Sequence, residues 1–306
     1  MKRRFCKIIL ILGIVAILVA IPVFWFSYAA TNELEVDFLD IGQGDAILIK
    51  TPFGQNILID GGPDDAIINR LSKNLDWWDR RIDLMILTHP HDDHVSGLIE
   101  VIKRYKIKKI LYTGVIHTSP NYLEWLSLIR DKKIPLVIID RPQVINLGEN
   151  CYLDILYPRE SLLGKTVNNL NNSSIVLKLI YKEISFLFTG DAEAEVEAEL
   201  TPPLTPPLTP PLIRRGEEAE QGGEVNLRAQ VLKAGHHGSD TSSSQEFLDA
   251  VRPEIVVIQV GEDNDFGHPS RRIIKRLERL GAQIFRNDLE GTVKIMSNGQ
   301  EVYIKK

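Results

Sequence analysis

His89, His91, Asp93 and His94 follow directly on the apolar run Leu84–Leu87. A strand running into His-x-His-x-Asp-His delivers four ligand-type side chains at its end, onto the loop that follows. His89 and His91, two residues apart, can reach one metal ion, while Asp93 and His94 can reach a second beside it. Imidazole with carboxylate suits zinc, or manganese and iron when more oxygen donors join. Only 7 histidines occur in 306 residues, and three of them fall in these six positions. An ordinary polar surface loop does not concentrate ligands in that way.

Four weaker stretches gain force from the first. Phe186–Phe188 leads into Thr189-Gly190-Asp191, a Gly-Asp turn that places one carboxylate where it could bridge two ions. Lys233-Ala234-Gly235-His236-His237-Gly238-Ser239 follows Gln230–Leu232 and adds an imidazole. Ile59-Asp60-Gly61-Gly62 ends another strand, where Asp60 could orient a ligand histidine from behind. Gly267-His268-Pro269-Ser270 precedes a helix with Ser270 as its N-cap. All sit at strand exits or helix entrances, so loop residues would converge on one rim of a layered fold.

The elements that must carry these loops read as strands first, then strands alternating with helices. Strands are expected at 34–41, 46–49 and 56–59, the last two flanking the turn Thr51-Pro52-Phe53-Gly54. Short apolar runs at 84–87, 107–112 and 136–139 alternate with helical stretches 96–105 and 122–131. Further strands are expected at 151–157, 174–181, 184–188, 230–232, 255–260, 283–285, 291–295 and 301–304. Helices are expected after Asp191, near 243–251 and at 270–280. This order fits two mixed sheets covered by helices.

The composition, 44% hydrophobic and 25% charged with 21 Gly and 16 Pro, excludes collagen-like, wholly disordered and disulfide-scaffold chains. A net charge of −5 gives no global support to tight duplex-DNA affinity. Local basic clusters occur at 103–109 and 271–279, though such runs are ordinarily solvated helix faces. Trp77 and Trp78 could stack a base, but core packing or a surface lid fits them better.

Residues 1–30 stand apart from the fold. Lys2, Arg3, Arg4 and Lys7 precede the uncharged apolar run Ile8–Phe26, nineteen residues long, close to the roughly 20 that cross a bilayer. The basic flank predicts a cytoplasmic N-terminus with the rest outside. A cleavable signal peptide is the alternative, since Ser27-Tyr28-Ala29 loosely fits a cleavage site. Either way the domain 31–306 is exported, anchored or secreted. Cys6 and Cys151 fall on opposite sides of such a span and read as unpaired and inert. A Thr-Pro-Pro-Leu repeat within 201–223 excludes helix and central strand, and reads as an inserted surface loop.

His89-x-His91-x-Asp93-His94, Gly190-Asp191 and the later histidine resemble the metallo-β-lactamase-fold superfamily of metal-dependent hydrolases. Residues 38–46, Asp60-Gly61-Gly62, Asn171-Asn172-Ser173-Ser174, His236-His237-Gly238-Ser239 and Gly267-His268-Pro269 resemble, more narrowly, the hydrolase domain of the ComEC family of competence (DNA-uptake) proteins. The resemblance covers about residues 33–306, apart from the proline insertion. It implies an α/β, four-layer αββα sandwich with a metal site at one edge, holding two divalent ions, zinc or manganese. By that resemblance His89 and His91 hold the first ion, Asp93 and His94 the second, and Asp191 both. His237 is preferred over His236 as the later ligand. The wider superfamily supplies a further histidine to the first ion where this chain has only Asn171 and Asn172, so the first site would be looser. Asp60, Asn172 and His236 are further candidates for metal contact or support.

The chemistry implied is attack on phosphorus or carbonyl by a water that the ions activate, with Asp93 or Asp191 taking its proton. His268 would donate a proton to the leaving group or hold its phosphate. Gln43, Asp45, Ser239, Arg271 and Arg272 are candidate substrate contacts. Three function classes follow: an exported phosphodiesterase or nuclease, a hydrolase of small esters, lactones or lactams, and a non-catalytic binding module. The first takes a phosphodiester or nucleic-acid substrate. No protein partner is inferable.

Overall fold

A computed structural model describes residues 13–19, 21, 33–201 and 225–305. The TPPL insertion, Cys6 and most of Ile8–Phe26 lie outside the described residues. Residues 13–19 are helical, and Ile14, Val15, Ile17, Leu18 and Val19 expose their apolar side chains. Among the described residues no helix is long and apolar enough to cross a membrane.

The first half of the chain forms β1 (Leu34–Phe38), β2 (Ile47–Lys50), β3 (Asn56–Ile59), α1 (Ala66–Asn74), β4 (Arg81–Ile82) and β5 (Leu84–Ile86). It continues through α2 (Asp92–Arg104), β6 (Lys106–Ile107), β7 (Ile110–Tyr112), α3 (Pro120–Lys132) and β8 (Leu136–Ile138). The second half forms β9 (Gln143–Gly148), β10 (Cys151–Tyr157), β11 (Val176–Tyr181), β12 (Ile184–Phe188), α4 (Ala194–Leu200) and β13 (Val231–Lys233). Then come α5 (Gln245–Val251), β14 (Ile255–Ile258), α6 (Arg271–Leu280), β15 (Gln283–Arg286), α7 (Asn287–Glu290), β16 (Val293–Ser297) and β17 (Val302–Lys305).

Two large sheets result, ordered β17-β16-β1-β2-β3-β5-β7-β8 and β15-β14-β13-β12-β11-β10-β9. Strand periodicity explains how they stack. In β2, Ile47 and Ile49 face inward to meet Leu177, Phe186 and Val257 of the opposite sheet, while Leu48 faces outward. Phe38 and Phe188 touch across the sheets at 6.1 Å between ring centres. The outer face of the first sheet, through Leu48, Leu58 and Met85, buries Leu71 of α1, Leu98 of α2 and Trp125 of α3. The outer face of the second, through Leu187, Leu232 and Val256, buries Val196, Leu248 and Leu277 of α4, α5 and α6. Each sheet is therefore covered on both faces, which is why its central strands are continuously apolar. The layering is αββα.

Strands β3, β5 and β7 run parallel in one sheet, as do β12, β13 and β14 in the other. Their carboxyl ends therefore deliver loops to one edge of each sheet, where open α/β folds bind ligands. Those loops carry the motifs.

Several boundaries depart from the sequence reading. The expected strand 107–112 divides, because Lys106–Ile107 leaves the main sheet to pair with Arg81–Ile82. Strand β9 and helix α1 are additions. The former is a half-exposed sheet edge with no continuous apolar run. The helix expected to begin at Ser96 begins instead at Asp92. Asp93 and His94 thus sit on a helical first turn, not on the loop.

Candidate metal centre

The motif is held by backbone packing before any side chain meets a metal. A Cβ on Gly97 of α2 would overlap the Gly61 carbonyl oxygen. Glycine at both positions lets the helix seat against the end of β3. Gly190 adopts φ 53°, with Thr88 and Ser174 close where its Cβ would stand, and this left-handed turn aims Asp191 at the motif.

Asp191 Oδ2 is the hub. His94 Nε2 lies 3.3 Å from it, His237 Nε2 3.4 Å, His89 Nε2 3.8 Å and His236 Nε2 3.9 Å. Asp93 joins from the helix, its Oδ2 3.4 Å from His237 Nε2. One donor atom from each of Asp93, His94, Asp191 and His237 falls within 4.8 Å of all the others. His89 Nε2 and His91 Nδ1 form a second pair of donors 3.0 Å apart. Ligands about 2.1 Å from one ion stand roughly 3.0–3.5 Å apart, a spacing met by His94 and His237 to Asp191, by Asp93 to His237 and by His89 to His91.

A supporting layer fixes the rings. His94 Nδ1 donates to Asp60 Oδ2 at 2.9 Å, and Asp60 also accepts from Thr88 N at 2.8 Å and Thr88 Oγ1 at 2.6 Å. His237 Nδ1 donates to the Gln259 carbonyl at 2.9 Å. His89 Nδ1 lies 3.3 Å from Ser174 Oγ. With those nitrogens engaged, the opposite ones are bare: His94 Nε2 and His237 Nε2 are buried without a hydrogen-bond partner. Buried polar atoms are rarely left so. A metal ion is the partner this donor set fits.

Lys233, fully buried, is the side chain that motif reading missed as a participant. Its ammonium pairs with Asp45 Oδ2, donates to the Gly190 carbonyl at 2.8 Å and stands 3.6 Å from Asp191 Oδ1. The hub carboxylate therefore presents only Oδ2 to the histidines. Asp45, Asp60 and His94 also cluster, but Lys233 and the Thr88 bonds occupy those carboxylates, which makes them support and not a further ion site.

The electrostatics follow from carboxylates outnumbering this one lysine. Burial opposes charging of His94, but Asp191, Asp93 and Asp60 outweigh it and hold its pKa well above the histidine range. Burial is likewise outweighed at His237, by Asp191 and Asp45. Burial also opposes ionisation of Asp191, yet His237 and His94 keep its carboxyl well below the usual range. His89 behaves oppositely: burial, reinforced by His94, pushes it well down. Positive charge is wanted in this pocket, from protons or from a metal that displaces them.

All seven histidines of the chain stand in one file. Ring centres run His117–His91 at 6.5 Å, His91–His89 at 4.8 Å and His89–His94 at 4.2 Å. They continue to His237 at 5.5 Å, His236 at 6.0 Å and His268 at 5.5 Å. His117 had no motif around it; its only sequence signal is the scarcity of histidine. A cavity of about 750 Å³ opens over the file, bordered by Gln43, His91, Asp93, His117, Asp191, His236 and Phe266.

Other candidates fall elsewhere. Asn172 is no ligand: its Oδ1 accepts from Glu193 N and its amide donates to Glu195, tying the start of α4. Asp45 is 1% exposed and Ser239 4%, and neither borders the cavity. Ser239 Oγ bonds Thr241. Arg271 and Arg272 are exposed at the start of α6 and do not border the cavity. The basic run 103–109 lies at the far end of α2, where Lys103, Arg104 and Lys108 pair with Glu100, Glu124 and Asp83. Trp77 and Trp78 are exposed beside the start of β3, opposite the end that carries Asp60.

Residues 39–262 match the metallo-β-lactamase superfamily model. The chain belongs to the metallo-β-lactamase superfamily. Among curated proteins, this superfamily member is 26% identical to ComE operon protein 3 of Bacillus subtilis over 86% of the chain, and 28% identical to competence protein ComA of Neisseria gonorrhoeae over 86%. It spans about a third of those proteins' own length, 33% and 32%. Among solved structures it resembles a metallo hydrolase of Ignicoccus hospitalis, at 17% identity and TM-score 0.50 over 86% of this chain and 98% of that one. It also resembles CmlA, a diiron β-hydroxylase from Streptomyces venezuelae, at 15% identity and TM-score 0.51 over 88% and 54%. At such identities the likeness is one of fold.

Proposed function

We propose that this chain is a metal-dependent phosphodiesterase or nuclease, exported or anchored to the membrane. The observation that carries the hydrolase reading is the convergence of Asp93, His94, Asp191 and His237 beneath an open cavity, with two imidazole nitrogens bare and buried. The nucleic-acid reading is supported by a relative named for competence.

Divalent ions held there, zinc or manganese, would activate water and neutralise charge on the substrate's oxygens. Asp191 presents one oxygen to four imidazoles, and two of them, His237 and His94, keep it ionised. Asp93, a third exposed and facing the cavity, takes the proton of the attacking water. His268 lies on the opposite flank, its ring 5.5 Å from His236 and 5.8 Å from Phe266, and hands a proton to the leaving group. Burial and then neighbouring His236 lower its pKa, so the protonated form that can donate is more populated at acidic than at neutral pH. Gln43 borders the same cavity, with its Oε1 accepting from Gly261 N at 3.2 Å.

The apolar run Ile8–Phe26, behind Lys2, Arg3, Arg4 and Lys7, is the proposed anchor, with release after Ala29 as the alternative. The exposed Ile14, Ile17 and Leu18 support it. Recovery of the intact chain in the cytosol would refute export.

Activity is decided by assaying the full chain with manganese or zinc against single-stranded DNA, bis-p-nitrophenyl phosphate and a β-lactam. Phosphodiester cleavage is expected. Lactam cleavage alone would select a hydrolase of small acyl substrates, and no turnover would leave a binding module.

A further inference from the structure

We propose that the pole of the domain opposite the metal centre docks on a phospholipid bilayer through Trp77, Trp78 and Phe53, which turns the catalytic edge away from the membrane. This rests on the proposed anchor, and not on the choice of substrate or metal.

The three aromatics share one end of the first sheet. Glu35, Lys50 and Asn56 form a row across β1, β2 and β3. Phe53 lies beyond that row, in the turn between β2 and β3. The Trp77–Trp78 turn is stitched to the same end. Asn56 Nδ2 donates to Asp79 Oδ2 at 2.8 Å, Arg81 Nη2 to the Gly54 carbonyl at 3.0 Å and Lys50 Nζ to the Asn74 carbonyl at 2.9 Å. Asp60 and the histidine motif leave from the other end of these strands, past Ile59 and Ile86.

The exposure of these side chains points to a partner. Trp77 is 83% exposed, Trp78 64% and Phe53 46%. Large apolar groups are not grouped on a surface in this way without use. The two indoles meet edge to face, 5.4 Å between ring centres. Asp79, the acid that follows them, is turned inward to Asn56 and the Arg81 N–H. Arg80 and Lys106 stand exposed alongside, adjacent where β4 pairs with β6, and among the described residues neither forms an ion pair. Indole rings, each an apolar body with a polar N–H, beside cations suit the boundary between acyl chains and anionic headgroups.

Where the chain enters decides the occupant. β1 starts at Leu34, next to Glu35 of that row, so the polypeptide arrives at this pole. The seven Cα steps from Phe26, the end of the apolar run, to Glu33 span at most about 25 Å. So short a tether keeps this pole at the surface and makes the aromatics a second attachment beside the anchor. A nucleic-acid strand stacked on Trp77 and Trp78 would lie at the wrong end for the cavity.

The test is fluorescence quenching on the full chain carrying Trp25→Phe, in vesicles of phosphatidylethanolamine and phosphatidylglycerol with or without bromine on the acyl chains. Trp77, Trp78 and the fully buried Trp125 are then the fluorophores. We expect brominated lipid to remove the emission of Trp77 and Trp78 and leave that of Trp125. Adding Trp77→Phe and Trp78→Phe should abolish the quenching at an unchanged melting temperature. In that background Phe266→Trp, a reporter at the catalytic edge, should stay unquenched. A chain that floats with the vesicles but is not quenched overturns the docking and leaves the anchor standing. A chain that does not float overturns both. Quenching of the Phe266→Trp reporter overturns the orientation, and an emission change on adding single-stranded DNA without vesicles would give this face to nucleic acid instead.

Discussion

The two halves of the metal centre are built to different standards. On one side His94 and His237 are wholly buried, and each Nδ1 is fixed at 2.9 Å, by Asp60 and by the Gln259 carbonyl. Gln259 in turn donates to the Leu39 and Ala46 carbonyls, so this half is tied to both sheets. On the other side His91, the ligand proposed there, is only partly buried and borders the cavity. A ligand locked by packing loses little freedom on binding, whereas a half-exposed one must be ordered first. The closed half should bind its ion more tightly. The open half is where a substrate can enter.

Removing the shared hub gives the largest effect. Asp191→Ala should lower metal content in both halves and abolish turnover, read by mass spectrometry and by phosphodiester assay. A variant that keeps its full metal load would show that the halves are independent.

His268→Ala tests the open side alone. It should retain its metal and slow the chemical step by about 10²–10⁴-fold, the usual contribution of a proton donor. Loss of an ion from this variant would move His268 into the ligand set.

Asp60→Ala tests the closed side. Chelator competition should find one ion weakened by about 10–100-fold and the other unaffected. Equal weakening of both would erase the distinction between the halves.

Asp37 lies away from both and serves as a control on global stability. Burial lifts its carboxyl from 3.8 to about 7, despite Lys50 at 3.7 Å and Lys294 at 3.9 Å. Because the folded value lies above the unfolded one, the native state holds the proton more firmly, and stability falls as pH rises from about 4 through 7. Asp37→Asn should therefore stabilise the protein at pH 8, by on the order of 1–3 kcal/mol, and change little at pH 4. Thermal melts at the two pH values check this, with metal content expected to stay constant. The smallest effect is expected from deleting Thr201 through Gly223, which should shift neither melting temperature nor metal load.

Much of the fold was legible because both sheets are buried on two faces. The runs at 151–157 and 184–188 match β10 and β12 residue for residue, and Ser270 caps α6 by accepting from Ile273 N. What escaped were elements defined by distant partners. Strand β9 is a sheet edge that alternates only weakly, and β4 with β6 exists only as a pair. Helix α1 carries its buried residues at just Ile67 and Leu71, too few to stand out in the sequence.

The sequence by itself determined which residue types are delivered and from which ends. A strand leading into His-x-His-x-Asp-His, a Gly-Asp turn and a His-His-Gly turn are local patterns, and local chemistry suffices to read them. Tertiary structure decided the assignments. It turned Asn171 toward His236 and sent Asn172 to cap a helix, a choice set by Glu193 and Glu195, 22 and 23 residues away. It seated Lys233 against Asp45, so that Asp191 offers a single oxygen to the histidines. It also brought His117 into the file beside His91. Each of these depends on contacts between loops that only the two stacked sheets bring together, and spacing along the chain carries no record of them.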